Sequence, residues 1–142
     1  MMTVTLLESV LRTAWGRDTC DPHDLADWTP ENPARGQCGV TALVVQELLG
    51  GELVVGEHLV DGTRYGDHYW NRLPGGRDVD FTFEQFGPGE TVVGGAVQQR
   101  PAGPPQRCRE QYELLRTRVT AALGDQEGSR SVADGETPKR DR

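Results

Sequence analysis

The chain has 142 residues, 35% of them hydrophobic and 6% aromatic, with a formal net charge of −7. One domain is expected at this length. The acidity counts against nucleic-acid binding, which needs basic patches, and no apolar run approaches the length of a membrane span. The first residues, "MMTVTLLESVLRTAW", carry neither a basic region nor a small-residue cleavage site. No signal peptide is read there, and a cytoplasmic location is expected. The cysteines, Cys20, Cys38 and Cys108, are odd in number, which speaks against a disulfide framework.

In residues 3–16, Val4, Leu7, Val10, Leu11 and Trp15 recur at three- and four-residue spacing, which predicts an amphipathic helix ended by Gly16. Residues 17–37 hold Pro22, Pro30, Pro33 and Gly36 among several Asp and Asn, the composition of an ordered loop, with Trp28 pinning it to the core. Residues 38–49 predict a second helix, stopped by Gly50 and Gly51. Three strands are expected in "ELVVGEHLV", "GDHYWNRL" and "RDVDFTF", joined by turns at 61–63 and 74–76 into an antiparallel meander. Phe81 and Phe83 are expected in the core on the face opposite Asp80. Residues 87–107 are rich in Gly, Pro and Gln and read as loop, with one short apolar run, "TVVGGAV".

Tyr112, Leu115, Val119 and Leu123 predict a third helix over 108–123. Residues 125–142 are too poor in apolar groups to offset the entropy of ordering them and read as a disordered polar tail. The folded domain is therefore 1–124. The fold class is α+β, with N-terminal helices packed on a small antiparallel sheet and a C-terminal helix.

The stretch "NPARGQCGVTALVVQELLGG" places Cys38 at the junction of a loop and a helix. Unpaired N–H groups and the helix dipole favour a thiolate there, and Gly39 leaves the sulfur unobstructed. Burial as a small packing residue is the competing reading. A thiolate needs a base, and His68 lies within a strand in "DHYWN". If the following hairpin is centred on Pro74, His68 falls opposite Asp80, with Cβ atoms about 4.5–5.5 Å apart. The carboxylate then fixes one ring nitrogen and leaves the other free. Cys38, His68 and Asp80 supply the three parts of a Cys-His-Asp site. The backbone N–H of Cys38 is one oxyanion donor, and Gln37 and Asn32 are the side-chain candidates. Trp70 and Tyr69 are candidate substrate-binding walls. The Cys20-x-x-His23 spacing offers two zinc ligands where a structural site needs four, so neither a metal nor another cofactor is expected.

The blocks "NPARGQCGVTALVVQELLGGELV", "HYWNRLPGG" and "DVDFTFEQF" together resemble the YunG-like family of small bacterial proteins. The order of Cys at a helix start, His on a strand and Asp on the next also resembles the papain-like and transglutaminase-like superfamily. That second resemblance implies a core of that type in which Cys38 attacks an acyl carbonyl, His68 acts as base and then acid, and Asp80 orients His68. Hydrolysis, deamidation or acyl transfer on an amide or ester is the implied activity, with a peptide, protein or small molecule as substrate. A papain-like binding domain without catalysis and a toxin or effector of the same fold are the alternatives.

Overall fold

The structure, a computed structural model, describes residues 2–134, with side chains described through Asp125. It is a mixed α+β arrangement. Helices α1 (Val4–Ala14) and α2 (Cys38–Leu49) precede strands β1 (Glu52–Val60), β2 (Thr63–Arg72), β3 (Asp78–Val79) and β4 (Glu90–Gln98), and α3 (Arg109–Asp134) follows. The strands form one antiparallel sheet in the order β3-β2-β1-β4. Helix α2 packs on β1 and β2, while α3 packs on α1 and α2.

Helix α1 starts where the Thr3 side chain accepts a hydrogen bond from the Leu6 N–H. Its apolar stripe of Leu7, Val10, Leu11 and Ala14 is buried. Trp15 closes the helix, and its indole Nε1 donates to Thr41 Oγ1 at 2.9 Å, which ties α1 to α2. Helix α2 is covered on more than one side: Val40, Ala42, Val44 and Val45 are all buried, as expected for a helix between a sheet and other helices. Gly50 and Gly51 end it with positive φ. At Gly51 a Cβ would stand 2.1 Å from the Arg72 carbonyl oxygen, so both the backbone conformation and the close approach of β2 require glycine.

The main core lies among the helices. Leu7 and Leu11 of α1, Val44 and Val45 of α2, and Leu115 and Val119 of α3 meet there with Phe81 from the chain after β3. Leu115 is fully buried. Leu115→Ala should cost about 2–5 kcal/mol through lost transfer energy and a residual cavity, read as an earlier midpoint in urea unfolding. A loss below about 1 kcal/mol would mean that α3 contributes little to this core.

Five expectations are corrected. The apolar run at 91–97 belongs to a strand: β4 pairs along β1, with a register irregularity between Val55 and Glu57 that accommodates the Gly94-Gly95 pair. The expected third strand is only two residues long. After Val79 the chain turns away and forms a short 3-10 turn over Phe83–Gln85. Period-two alternation ends with the strand, so Phe81 is buried while Phe83 is 64% exposed. Trp28 is half-buried and ties the loop to itself, with its Nε1 donating to the Pro33 carbonyl and Arg17 over its ring. Finally, α3 runs past Gly124 to Asp134, so residues 125–134 continue the helix rather than begin a disordered tail. Gly124 and Gly128 each cost a helix only about 1 kcal/mol relative to alanine, and the helix runs through both. The remainder of the expected tail, 135–142, lies outside the described residues.

Candidate active site

Cys38 is the first residue of α2. The first backbone bond of the helix runs from the Thr41 N–H to the Gln37 carbonyl. The N–H groups of Cys38 and Gly39 precede it and have no intrahelical acceptor. A Cβ on Gly39 would meet nothing within 4 Å, so the backbone there opens onto free space. That space is a cleft of about 700 Å³, whose wall includes Cys38, Gly39, His68, Tyr69, Gln98 and Cys108.

His68 is 1% exposed. Its Nε2 lies 2.6 Å from Asp80 Oδ2. Asp80 Oδ1 meanwhile accepts from the Thr82 N–H at 3.2 Å and the Thr82 hydroxyl at 3.4 Å, a local turn that fixes the carboxylate. The ring is held from other sides as well. Phe86 meets it edge-on at 4.8 Å, and Trp70 stacks on it at 5.7 Å. Its other nitrogen, Nδ1, is buried without a hydrogen-bond partner. With Nε2 engaged by Asp80, Nδ1 is the nitrogen left for Cys38. Burial pulls the His68 pKa down, but the Asp80 carboxylate and the Cys38 sulfur outweigh it and push it up to about 9. His68 is therefore an imidazolium at neutral pH.

The His68–Asp80 contact arises by a different route from the one expected. The β2–β3 register pairs Asn71 with Val79 and Arg72 with Asp78, which centres the turn on Gly75. Continued, that register would set Thr82 opposite His68. Instead the strand ends, and the Asp80 turn swings the carboxylate onto the ring.

The oxyanion candidates on side chains lie elsewhere. Gln37 is fully buried, its Oε1 accepting from Thr19 at 2.8 Å and its Nε2 donating to the Gly16 carbonyl at 3.0 Å. Its amide is thus spent holding the loop after α1. Asn32 donates to the Gln85 carbonyl at 2.9 Å and is absent from the cleft wall. Trp70 is also absent from that wall. It sits against Gly56 and Gly95, where a Cβ would come within 3.0 Å of its ring, and its Nε1 donates to Asp78. It backs the His68 ring, whereas Tyr69 faces the cleft.

Gln85 has a positioning role. It is buried, accepts from the Gly36 N–H at 3.2 Å and donates to the Thr82 carbonyl at 3.0 Å. It therefore clamps the loop entering Cys38 to the segment carrying Asp80. A glutamine amid acidic and aromatic neighbours gave no sequence signal for this. The other two thiols differ from Cys38 in setting. Burial, with Asp24 and Asp21 nearby, pushes Cys20 up to about 12, and burial with Asp21 pushes Cys108 up to about 11. Among the described residues, no group of three or more His, Cys, Asp or Glu is placed to hold a metal ion, and no helix is long and apolar enough to cross a membrane.

A family model described as "YunG protein" matches residues 3–124. Over 79 residues the chain is 39% identical to "Uncharacterized protein YunG" of Bacillus subtilis (strain 168), a match covering 54% of this chain and 57% of that relative. The match thus spans a little over half the length of either protein. No solved structure matches the chain significantly.

Proposed function

The chain belongs to the YunG protein family, and for it we propose thiol-dependent acyl chemistry on an amide or ester, with Cys38 as nucleophile, His68 as acid and base, and Asp80 as the group that orients His68. One observation carries the reading: a fully buried imidazole gives Nε2 to a carboxylate at 2.6 Å, its buried Nδ1 has no hydrogen-bond partner, and His68 and Cys38 line the same cleft. A buried polar atom left without a partner costs roughly 1–3 kcal/mol, and most buried polar groups have a partner. The order of a cysteine at a helix start, a strand histidine and a following aspartate supports a papain-like or transglutaminase-like core.

In this reading the Cys38 thiolate adds to the acyl carbon, and the carbonyl electron pair moves onto oxygen. The Cys38 and Gly39 N–H groups at the helix start receive that oxyanion. His68 Nδ1–H passes its proton to the departing amine or alcohol as the tetrahedral adduct collapses to a thioester. Water or an amine then loses a proton to Nδ1, attacks the thioester and releases Cys38. Asp80 keeps the ring oriented and stabilises its protonated form. Water as the second nucleophile gives hydrolysis or deamidation, and an amine gives transfer.

Labelling with iodoacetamide at neutral pH, read by peptide mass, tests this. Cys38 faces an imidazolium, while Cys20 and Cys108 are held protonated until about pH 12 and 11. Cys38 should therefore label first, by at least about tenfold in rate. Equal labelling of Cys20 or Cys108 would remove the nucleophile assignment.

A further inference from the structure

The cleft wall carries three carboxylates, Asp21, Asp24 and Asp67, and one guanidinium, Arg107, besides three histidines. Two of the carboxylates are matched. Arg107 reaches Asp21 at 2.5 Å, and Arg64 reaches Asp67 at 2.6 Å. Asp24 is different. Its Oδ1 accepts from the Tyr65 hydroxyl at 2.9 Å, but among the described residues no cation pairs with it. Burial and Asp24 itself keep that hydroxyl protonated, its pKa pushed up to about 12, so the donor persists, and Arg35 and Arg107 act on Asp24 only from beyond salt-bridge distance.

The surroundings of Asp24 suit a positive ligand. The Tyr65 ring meets His23 at 5.1 Å and His58 at 5.0 Å, so aromatic surface flanks the carboxylate. The chain itself shows that this edge holds a guanidinium. Arg107, brought over by the proline-rich segment before α3, sits on Asp21 and also feels Asp24. The unpartnered Nδ1 of His68 marks the reacting end of the same cleft.

We infer that the cleft selects acyl substrates bearing a cationic group, an amine or guanidinium, seated on Asp24 beside Tyr65 with the acyl carbon toward Cys38. This rests on the acyl reading above and adds the substrate class to it. An anionic substrate would be repelled by the Asp24 carboxylate, which no salt bridge among the described residues covers, and a neutral one would lack the charge attraction.

The test needs no substrate. Cys38 is modified with aminoethyl methanethiosulfonate, which is cationic, and with sulfonatoethyl methanethiosulfonate, which is anionic, on the full chain at low salt. The ratio of the two rates is divided by the ratio for a free peptide of residues 32–44. The normalised ratio should be about tenfold above one and should shrink as salt is added. Asp24→Asn keeps an acceptor for Tyr65 and should lower the ratio about threefold, while Glu8→Gln, on the exposed side of α1, should leave it unchanged. A normalised ratio of one, or equal ratios in the wild type and Asp24→Asn, overturns the inference. The failure of the acyl reading looks different: Cys38 then reacts with neutral iodoacetamide no faster than Cys20. The charge ratio is still read in that case, because it compares two reagents at one sulfur.

Discussion

Cys38→Ser should remove acyl turnover while leaving the fold in place. The probe is p-nitrophenyl acetate, followed by release of p-nitrophenolate and by an acetyl group retained on the Cys38 peptide. The wild-type protein should show both; the variant should lose at least about 10³-fold in rate and show no acetylated peptide. The reason is the protonation state of the partner. His68 is an imidazolium up to about pH 9, a good counter-ion for a thiolate. A serine hydroxyl stays protonated at neutral pH and is a far weaker nucleophile than the thiolate it replaces. The substitution removes little volume at a half-buried position, so the urea midpoint should move by no more than about 1 kcal/mol equivalent. The His68 pKa should also fall in this variant, because the Cys38 sulfur is among the groups that raise it. Full activity in Cys38→Ser would end the proposal of a thiol enzyme, because the turnover would then come from another group.

Local signals in the sequence account for the parts that were legible. The loop-to-helix junction at Cys38 and the glycine pair at 50 and 51 bound α2, and the β-branched, apolar composition of "ELVVGEHLV" marks β1. What failed depended on partners distant in sequence. β4 contains two adjacent glycines, which argue against a strand in isolation; its pairing along β1 and the packing of Gly95 beneath Trp70 override that. The expected length of β3 rested on alternation through Phe83, and alternation cannot reveal that a carboxylate will capture the Thr82 N–H and end the strand. The nearness of His68 to Asp80 was reached from a hairpin register that the structure replaces, so a correct contact came from an incorrect pairing. Gln37 and Asn32 illustrate the opposite error. Their positions beside or before Cys38 suggested an oxyanion role, yet their amides serve the Gly16 and Gln85 carbonyls. Position in the chain does not give side-chain direction, and at a helix cap neighbouring residues diverge.

Asp80→Asn should lower the His68 pKa and slow acyl transfer by about 10²–10⁴-fold. The variant keeps the Oδ1 contact to the Thr82 N–H and so preserves the turn after β3. It loses the charge facing Nε2. Burial is the largest influence on His68 and acts to lower its pKa, so removing the carboxylate lets burial prevail. Each unit of fall from about 9 corresponds to about 1.36 kcal/mol of lost interaction. Near pH 8 His68 would then be neutral, and the Cys38 thiolate would lose its counter-ion and its acid for the leaving group. The alkaline limb of the rate profile, expected near pH 9 in the wild type, should move down by the same interval. Stability follows the same sign. A folded pKa of about 9 lies above the unfolded value of about 6.5, so the stabilisation from protonated His68 is complete below about pH 6.5 and is lost as pH rises to 9. In Asp80→Asn that loss should shrink and shift to lower pH. Titration of the His68 ring by NMR, with urea unfolding at several pH values, measures both effects. Superimposable His68 curves in the two proteins, with unchanged turnover, would reduce Asp80 to the residue that ends β3.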